Sequence, residues 1–103
     1  MKISKKAVIE SLKEQLRNKN ALCPAFEDLV DDYGKLWDIK EKLTRDIKKR
    51  GVVFKDYSSV GVEIQKNNPS TKELLGVNRQ MLMILEKLNL STKEIELEDD
   101  DEL

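Results

Sequence analysis

The sequence predicts a mainly α-helical fold in which long antiparallel helices carry a small β-hairpin insertion, and a chain that forms oligomers. Charged residues make up 38% of its 103 residues and aromatic residues only 5%. This composition suits helices with one apolar stripe better than a sandwich or a barrel. Apolar residues also recur at helical spacing in three segments, and a short stretch between the second and third alternates as a strand does.

The first helix is predicted over residues 3–19, with Ser4 as its N-cap. Its apolar face is formed by Val8, Ile9, Leu12 and Leu16. The opposite face and the two ends carry six basic residues, Lys2, Lys5, Lys6, Lys13, Arg17 and Lys19. Lysines attract phosphate without regard to base sequence. This basic set is therefore the best candidate for nucleic acid contact, although an ordinary solvated helix face would also be rich in lysine.

The second helix is predicted from Pro24, which suits a first turn, to Arg50, with Gly51 as a left-handed cap. Its apolar residues step by three and four, with Lys40 at one core-type position: Phe26, Leu29, Tyr33, Leu36, Leu43 and Ile47, widened by Val30 and Trp37. At 1.5 Å per residue the helix is about 40 Å long. Such a rod overhangs a domain of this size, so we expect part of its apolar face to need a partner chain.

A β-hairpin is predicted after Gly51, with strands over residues 52–55 and 60–65 and a turn between them. Apolar residues alternate in both segments, and the turn residues favour a reversal of the chain. An isolated two-stranded hairpin is marginal in water. We therefore expect this hairpin to pack on the helices or on a neighbouring subunit.

The third helix is predicted to begin at Pro69 with Asn68 as its N-cap, while Ser70 with Glu73 offers a competing capping box one turn later. Its apolar stripe consists of Leu74, Val77, Met81, Ile84, Leu85 and Leu88, broadened by Leu75 and Leu82. A face this broad indicates contact with two partners. A capping box at Ser91 and Glu94 predicts a short fourth helix.

The charge pattern divides the chain unevenly. Seven acidic residues and no basic residue lie between Glu94 and Leu103, which leaves residues 1–93 with 19 basic and 13 acidic residues, a net charge of +6. We predict three parts: a basic N-terminal helix over 1–22, a core helical domain over 23–90 with the hairpin at 52–65, and a short helix with an acidic tail over 91–103. The tail is either a solvated end or a segment that docks on a basic partner and competes with nucleic acid.

The composition gives no sign of an enzyme. The chain has no histidine and one cysteine, which excludes Ser-His-Asp systems and histidine or four-cysteine zinc sites. Its four glycines form no phosphate-binding pattern. We expect no cofactor, no metal, no signal peptide and no membrane association. Cys23 cannot form an intrachain disulfide and is expected to be a half-buried structural thiol in a reducing compartment.

The order of features from Phe26 to Ile95 resembles the phage terminase small-subunit family. The residues that carry this resemblance are Tyr33 and Trp37 on a long helix, Arg50-Gly51-Val52 at its end, Asn68-Pro69 at the start of the next helix, and Leu88-Asn89-Leu90-Ser91-Thr92 at its close. The family tends to close with a Leu-Gly-Leu-Thr-Pro-like run. Here Asn89 replaces the glycine, Thr92 stands where proline is common, and an acidic tail replaces the basic residues that often follow.

The resemblance implies a non-catalytic DNA-packaging adaptor in the host cytoplasm, which assembles into a ring, binds viral DNA and brings it to the large terminase subunit. DNA contact is assigned to the six basic residues of the first helix. The expected oligomer interface consists of Leu29, Tyr33, Leu36, Trp37, Leu43, Met81, Leu85 and Leu88. The expected docking residues for the large subunit are Ile95, Leu97, Asp99, Asp100 and Asp101. The alternative is a small helical protein–protein interaction module, either a coiled-coil adaptor or a DNA-mimic inhibitor.

Overall fold

A computed structural model of the chain describes residues 2–90. Its elements, in chain order, are α1 (Lys5–Asn18), α2 (Pro24–Arg50), β1 (Val53–Tyr57), β2 (Glu63–Asn67) and α3 (Pro69–Lys87). This confirms the predicted fold class, a mainly helical chain with a small antiparallel hairpin. The predicted fourth helix and the acidic tail lie outside the described residues.

The helix ends follow the predicted capping residues. The Ser4 hydroxyl accepts a hydrogen bond from the Ala7 amide at 3.1 Å, which starts α1. Gly51 ends α2 with φ of 85°, a conformation that glycine adopts without steric cost. Asn68, and not Ser70, caps α3, because its side chain accepts from the Ser70 amide at 3.0 Å. The competing capping box is therefore not used.

The hairpin strands lie later in the chain than predicted. They cover 53–57 and 63–67, with Val53 opposite Asn67 and Tyr57 opposite Glu63, so the predicted bounds 52–55 and 60–65 are wrong. The reversal uses Gly61, whose φ is 81° and whose amide donates to the Ser58 carbonyl at 2.9 Å. The alternation of apolar residues placed this glycine inside a strand, and Val60 is instead 81% exposed in the turn.

The buried core lies where the C-terminal ends of α1 and α3 meet the N-terminal part of α2. Its members are Leu12, Leu16, Val30, Ile84, Leu88 and Leu90. Because α2 and α3 run antiparallel, the hairpin that joins them lies at the opposite end of the pair. The molecule measures 62 × 33 × 20 Å with a radius of gyration of 18.4 Å, well above the roughly 13 Å expected for a compact chain of this length.

Candidate functional site

The described part of the chain shows neither a metal-binding cluster nor a membrane-spanning helix. Between residues 2 and 90 no group of three or more cysteine, aspartate or glutamate side chains is placed to hold a metal ion. In the same range no helix is long and apolar enough to cross a membrane. Cys23 is exposed and free, so the prediction of a half-buried thiol is wrong: the residue lies at the N-cap of α2, outside the core. The candidate sites are therefore surfaces, and their character depends on which charged and apolar side chains the fold leaves uncovered.

The six basic residues assigned to DNA do not form one surface. Lys5 faces α2, where its ammonium lies 2.9 Å from the Asp38 carboxylate, and Lys2 lies 4.0 Å from Glu41. These two lysines therefore join α1 to α2. At the other end of α1, Lys19 donates to the Asn89 carbonyl at 2.7 Å.

The outward face of α1 carries the other three. Lys6, Lys13 and Arg17 follow at intervals of seven and four residues, so they share one side of the helix. Arg17 pairs with Glu14 at 2.8 Å. Within residues 2–90, Lys6 and Lys13 form neither an ion pair nor a side-chain hydrogen bond. They are the α1 cations most available to an external anion.

A glycine allows α1 to lie close against α2. Gly34 is buried in the middle of α2, and a Cβ atom placed there would be 3.2 Å from Lys5 Cε and 3.5 Å from Ile9 Cδ1. The aliphatic stem of Lys5 and the side chain of Ile9 thus cross α2 at this point. Gly34 is a positioning residue for the N-terminal half of α1.

The residues assigned to the oligomer interface fall into three groups. Met81 and Leu88 are 4% and 1% exposed, so intrachain packing already covers them. Four others pack on the edge of the core and keep part of their surface accessible: Leu29, Tyr33, Leu36 and Leu85. Burial raises the pKa of the Tyr33 hydroxyl above its ordinary value. The remaining two, Trp37 and Leu43, are half-buried on α2.

The largest uncovered apolar side chains of α3 are Leu75, Leu82 and Met83, which are 68%, 60% and 43% exposed. Met83 also lines an open groove of about 390 Å³ between α2 and α3, together with Leu29, Leu36 and Ile84 and with polar residues at its rim. Leu82 lines a separate groove with Tyr33, Met81 and Leu85. Leu75 and Leu82 lie one heptad apart, a spacing visible in the sequence. The predicted oligomer interface does not include Leu75 and Leu82, because it takes only the central residues of the α3 apolar stripe.

A polar cluster joins the ends of α2 and α3 at the base of the hairpin, and we call it the Asn68 cluster: Asp46, Arg50, Asn68 and Ser70. Arg50 donates two hydrogen bonds to Asp46, both at 2.8 Å, and a third to the Asn68 side-chain oxygen at 3.1 Å. The Ser70 hydroxyl donates to Asp46 at 2.6 Å. These donors, Arg50 first, hold the pKa of Asp46 well below its ordinary value.

The Asn68 cluster also orients the hairpin. The Asn68 amide group donates to the Gly51 carbonyl at 2.9 Å, and the Arg50 guanidinium lies 4.9 Å from the centre of the Phe54 ring, within the range of a cation–π contact. From the sequence alone, Asn68 is predicted only as the N-cap of the third helix. Its partners lie 17 and 18 residues earlier in the chain, a separation that no local pattern reports.

A second open groove, which we call the basic groove, lies between the N-terminus of α1 and the C-terminal half of α2. Its volume is about 370 Å³, and it is lined by Lys2, Ile3, Trp37, Lys40, Glu41, Thr44, Arg45 and Lys48. Four of these residues are cations and one is an anion. Sequence analysis missed this site because Lys40, Arg45 and Lys48 become neighbours of Lys2 only after α1 folds onto α2.

The residues assigned to large-subunit docking, Ile95, Leu97, Asp99, Asp100 and Asp101, lie outside the described residues. That assignment stays a prediction.

Comparison with known proteins gives one match. The family model for the small subunit of phage terminases matches residues 6–96, which includes α1, the Asn68 cluster and the α2–α3 pair. No curated protein and no solved structure matches the chain. The match covers most of the sequence and agrees with the mainly helical fold. The chain therefore belongs to the phage terminase small-subunit family, and its role lies in phage DNA packaging in the host cell.

Proposed function

We propose that this chain is a non-catalytic packaging adaptor that assembles into a homo-oligomer, binds viral DNA and recruits the large terminase subunit. The observation that carries the proposal is the uncovered apolar surface of the α2–α3 pair, in a chain of this family. Leu75 and Leu82 are more than half exposed, and exposed apolar patches of this kind mark protein–protein contacts.

The subunit contact is proposed to use this surface together with the half-buried residues Leu29, Tyr33, Leu36 and Leu85. A second copy that covers the α2–α3 groove would remove Met83, Leu29 and Leu36 from water. Burial of apolar area contributes about 25 cal/mol per Å², so a few such side chains per contact supply several kcal/mol. In a closed ring every copy makes the same contact with its neighbours, so no copy leaves this apolar surface exposed to water.

DNA contact is proposed to use the outward face of α1, where Lys6 and Lys13 are unpaired within the described residues and Arg17 has an exposed partner. Lys2 and Lys5 are committed to α2 by ion pairs and are secondary candidates. Phosphate contacts of this type release counterions, so the affinity falls with salt and carries little base specificity.

Native mass spectrometry at low and high salt tests the assembly. A closed particle of several identical copies supports the proposal, and a monomer or dimer at every salt concentration, with and without DNA, contradicts it. DNA binding is tested in the Lys6→Glu, Lys13→Glu double variant. Each lost phosphate contact should make the slope of log affinity against log salt shallower by about 0.9. The control is Lys42→Glu with Lys72→Glu, the same charge change at two exposed lysines outside α1 and outside the grooves.

Recruitment is tested by binding of the purified large subunit to the full chain and to a variant with Ile95→Ser and Leu97→Ser. Binding that is equal in both would remove residues 91–103 from the docking site. The alternative function, a helical protein–protein interaction module, predicts no DNA binding even at low salt. The same DNA titration therefore separates the two functions.

A further inference from the structure

The basic groove has an excess of positive charge that the described part of the chain does not neutralise. Lys2, Lys40, Arg45 and Lys48 line it, and Glu41 is its only acid. Glu41 lies 4.0 Å from Lys2, while Lys40 and Lys48 have no ion pair or side-chain hydrogen bond among residues 2–90. Like charges held this close repel one another, and an anion in the groove would relieve that repulsion.

The groove is also partly apolar. Ile3 is 66% exposed at its edge, and the half-buried Trp37 lines its wall. A small inorganic anion would leave these apolar side chains in water. The groove therefore fits an acidic peptide with interspersed apolar residues better than it fits a simple phosphate.

The chain contains such a peptide. Between Glu94 and Glu98, acidic residues alternate with Ile95 and Leu97, and four more acids follow from Asp99 to Glu102. The proposal requires this segment to be extended and not the short helix that its capping box predicts, because only in an extended segment do the two apolar side chains face one side. The segment is negatively charged and the groove is positively charged. The segment also has two apolar residues, one for each of the apolar residues Ile3 and Trp37 of the groove.

The length of chain after the last described residue is sufficient for contact. Leu90 lies in the same apolar cluster as Val30, and Glu41 lies eleven residues further along α2, a rise of about 16 Å. Eight extended residues span about 26 Å. Trp37 lies only seven residues beyond Val30, a rise of about 10 Å, and the five residues from Leu90 to Ile95 span about 17 Å when extended. Ile95 and the residues after it can therefore reach the groove. Attachment to the same chain gives the segment a high effective concentration there.

We propose that the basic groove binds the acidic segment 94–102 of the same chain, with Ile95 and Leu97 against Ile3 and Trp37 and the carboxylates beside the four cations. This segment is also the proposed docking site for the large subunit. The tests below use neither the large subunit nor an assembled oligomer. A negative result in them would therefore overturn this inference and leave the proposed function unaffected.

Trp37 reports on the groove directly because it is the only tryptophan in the chain. We compare acrylamide quenching of its fluorescence in the wild type and in an Asp99→Asn, Asp100→Asn, Asp101→Asn variant. We expect about a twofold larger quenching constant in the variant, because one face of the indole becomes accessible. The wild type should show the same increase between about 0.1 M and 1 M salt, where the Debye length falls from about 10 to about 3 Å.

The matched control changes the same net charge away from the groove: Glu10→Gln, Asp31→Asn and Glu86→Gln. Equal quenching in the wild type, the tail variant and the control would overturn the proposal. A short duplex DNA is the competing ligand. If neutralising the tail does not change the quenching of Trp37, and the DNA reduces this quenching equally in the wild type and the tail variant, then the groove binds nucleic acid and the proposal is overturned.

Energy transfer tests which segment fills the groove. An acceptor dye is attached at Leu103→Cys in a Cys23→Ser background, with Trp37 as the donor. We expect strong energy transfer in the chain with the native groove. It should fall by about half or more in the Lys40→Gln, Arg45→Gln, Lys48→Gln variant, because the charge attraction is then removed. Unchanged circular dichroism of this variant shows that its helices are intact. Transfer that occurs only from unlabelled chains to labelled Trp37→Phe chains would contradict binding within one chain.

Discussion

Asn68 is the residue on which three segments of the chain converge. Its side chain donates to the Gly51 carbonyl and accepts from Arg50 and from the Ser70 amide, and its backbone amide donates to the Val52 carbonyl at 2.7 Å. Asn68 is 1% exposed, so these bonds have no competition from water. The end of α2, the hairpin and the start of α3 thus share one buried side chain.

Replacement of Asn68 by alanine should be among the most costly changes in this chain. It removes the α3 cap, worth about 0.5–2 kcal/mol, and it leaves the Gly51 carbonyl without its side-chain partner, at about 1–3 kcal/mol. We expect the free energy of unfolding in urea to fall by about 2–4 kcal/mol. Asn67→Ala is the control, because Asn67 is exposed; an equal loss in both variants would contradict the assignment.

The Asp46 carboxylate makes part of the stability depend on pH. Hydrogen bonds from Arg50 and Ser70 lower its folded pKa well below the ordinary 3.8. Its contribution is therefore fully present above about pH 4 and is lost as the pH falls toward the folded pKa. The difference in unfolding free energy between the wild type and Asp46→Asn should be constant from about pH 5 to 7 and shrink below about pH 4.

Urea titrations across this pH range check the prediction, with Asp31→Asn as a control on the same helix. Asp31 is exposed and has no ion pair among the described residues, so its variant removes one surface charge from the same helix without touching the Asn68 cluster. A wild-type minus Asp46→Asn difference that persists unchanged at the lowest pH would show that the carboxylate charge does not contribute.

At the level of elements, the contact between α1 and α2 depends on a small residue at position 34. Gly34→Ala should be neutral or stabilising by up to about 1 kcal/mol, because alanine favours helix and the Lys5 Cε atom, 3.2 Å from the new Cβ, can move. Gly34→Leu should overlap Ile9 and cost about 1–3 kcal/mol.

The control is Gly76→Leu, a mid-helix glycine in α3 with no atom within 4 Å of an added Cβ. It should gain stability through helix propensity alone. Urea unfolding of the three variants gives the comparison. If Gly34→Leu is as stable as Gly76→Leu, then α1 does not pack across α2 at this glycine.

The elements differ in how well the sequence predicts them. The bounds of α2 follow from Pro24 and Gly51, because a missing amide and a left-handed residue are local properties of those residues. The strands were misplaced because alternation of apolar residues continues through Val60 and Val62, which lie in or beside the turn. The basic groove and the Asn68 cluster depend on contacts between distant residues, so sequence periodicity does not report them.

At the scale of the whole molecule, α3 carries two different apolar faces. Leu88 belongs to the chain's own core, whereas Leu75 and Leu82 are open to solvent. We expect Leu75→Glu with Leu82→Glu to lower the native mass to that of a smaller species while circular dichroism and urea unfolding of the chain stay near those of the wild type.

Leu88→Ala is the contrasting variant, since it leaves a cavity in the core and should cost about 2–5 kcal/mol of stability. Native mass spectrometry and urea unfolding of both variants separate assembly from folding. An unchanged particle mass in the double glutamate variant would remove this face of α3 from the subunit contact.

The hairpin projects from the helices and is attached to them through its base, at Gly51, Phe54 and Asn68. Its turn is almost fully exposed, and the space beside Gly61 is open. Loop tips of this kind tolerate inserted sequence, because no core residue has to move. The turn over residues 58–62 is therefore a natural place to graft an epitope or a small fluorescent domain, which would let the protein be followed in infected cells with both of its termini untouched.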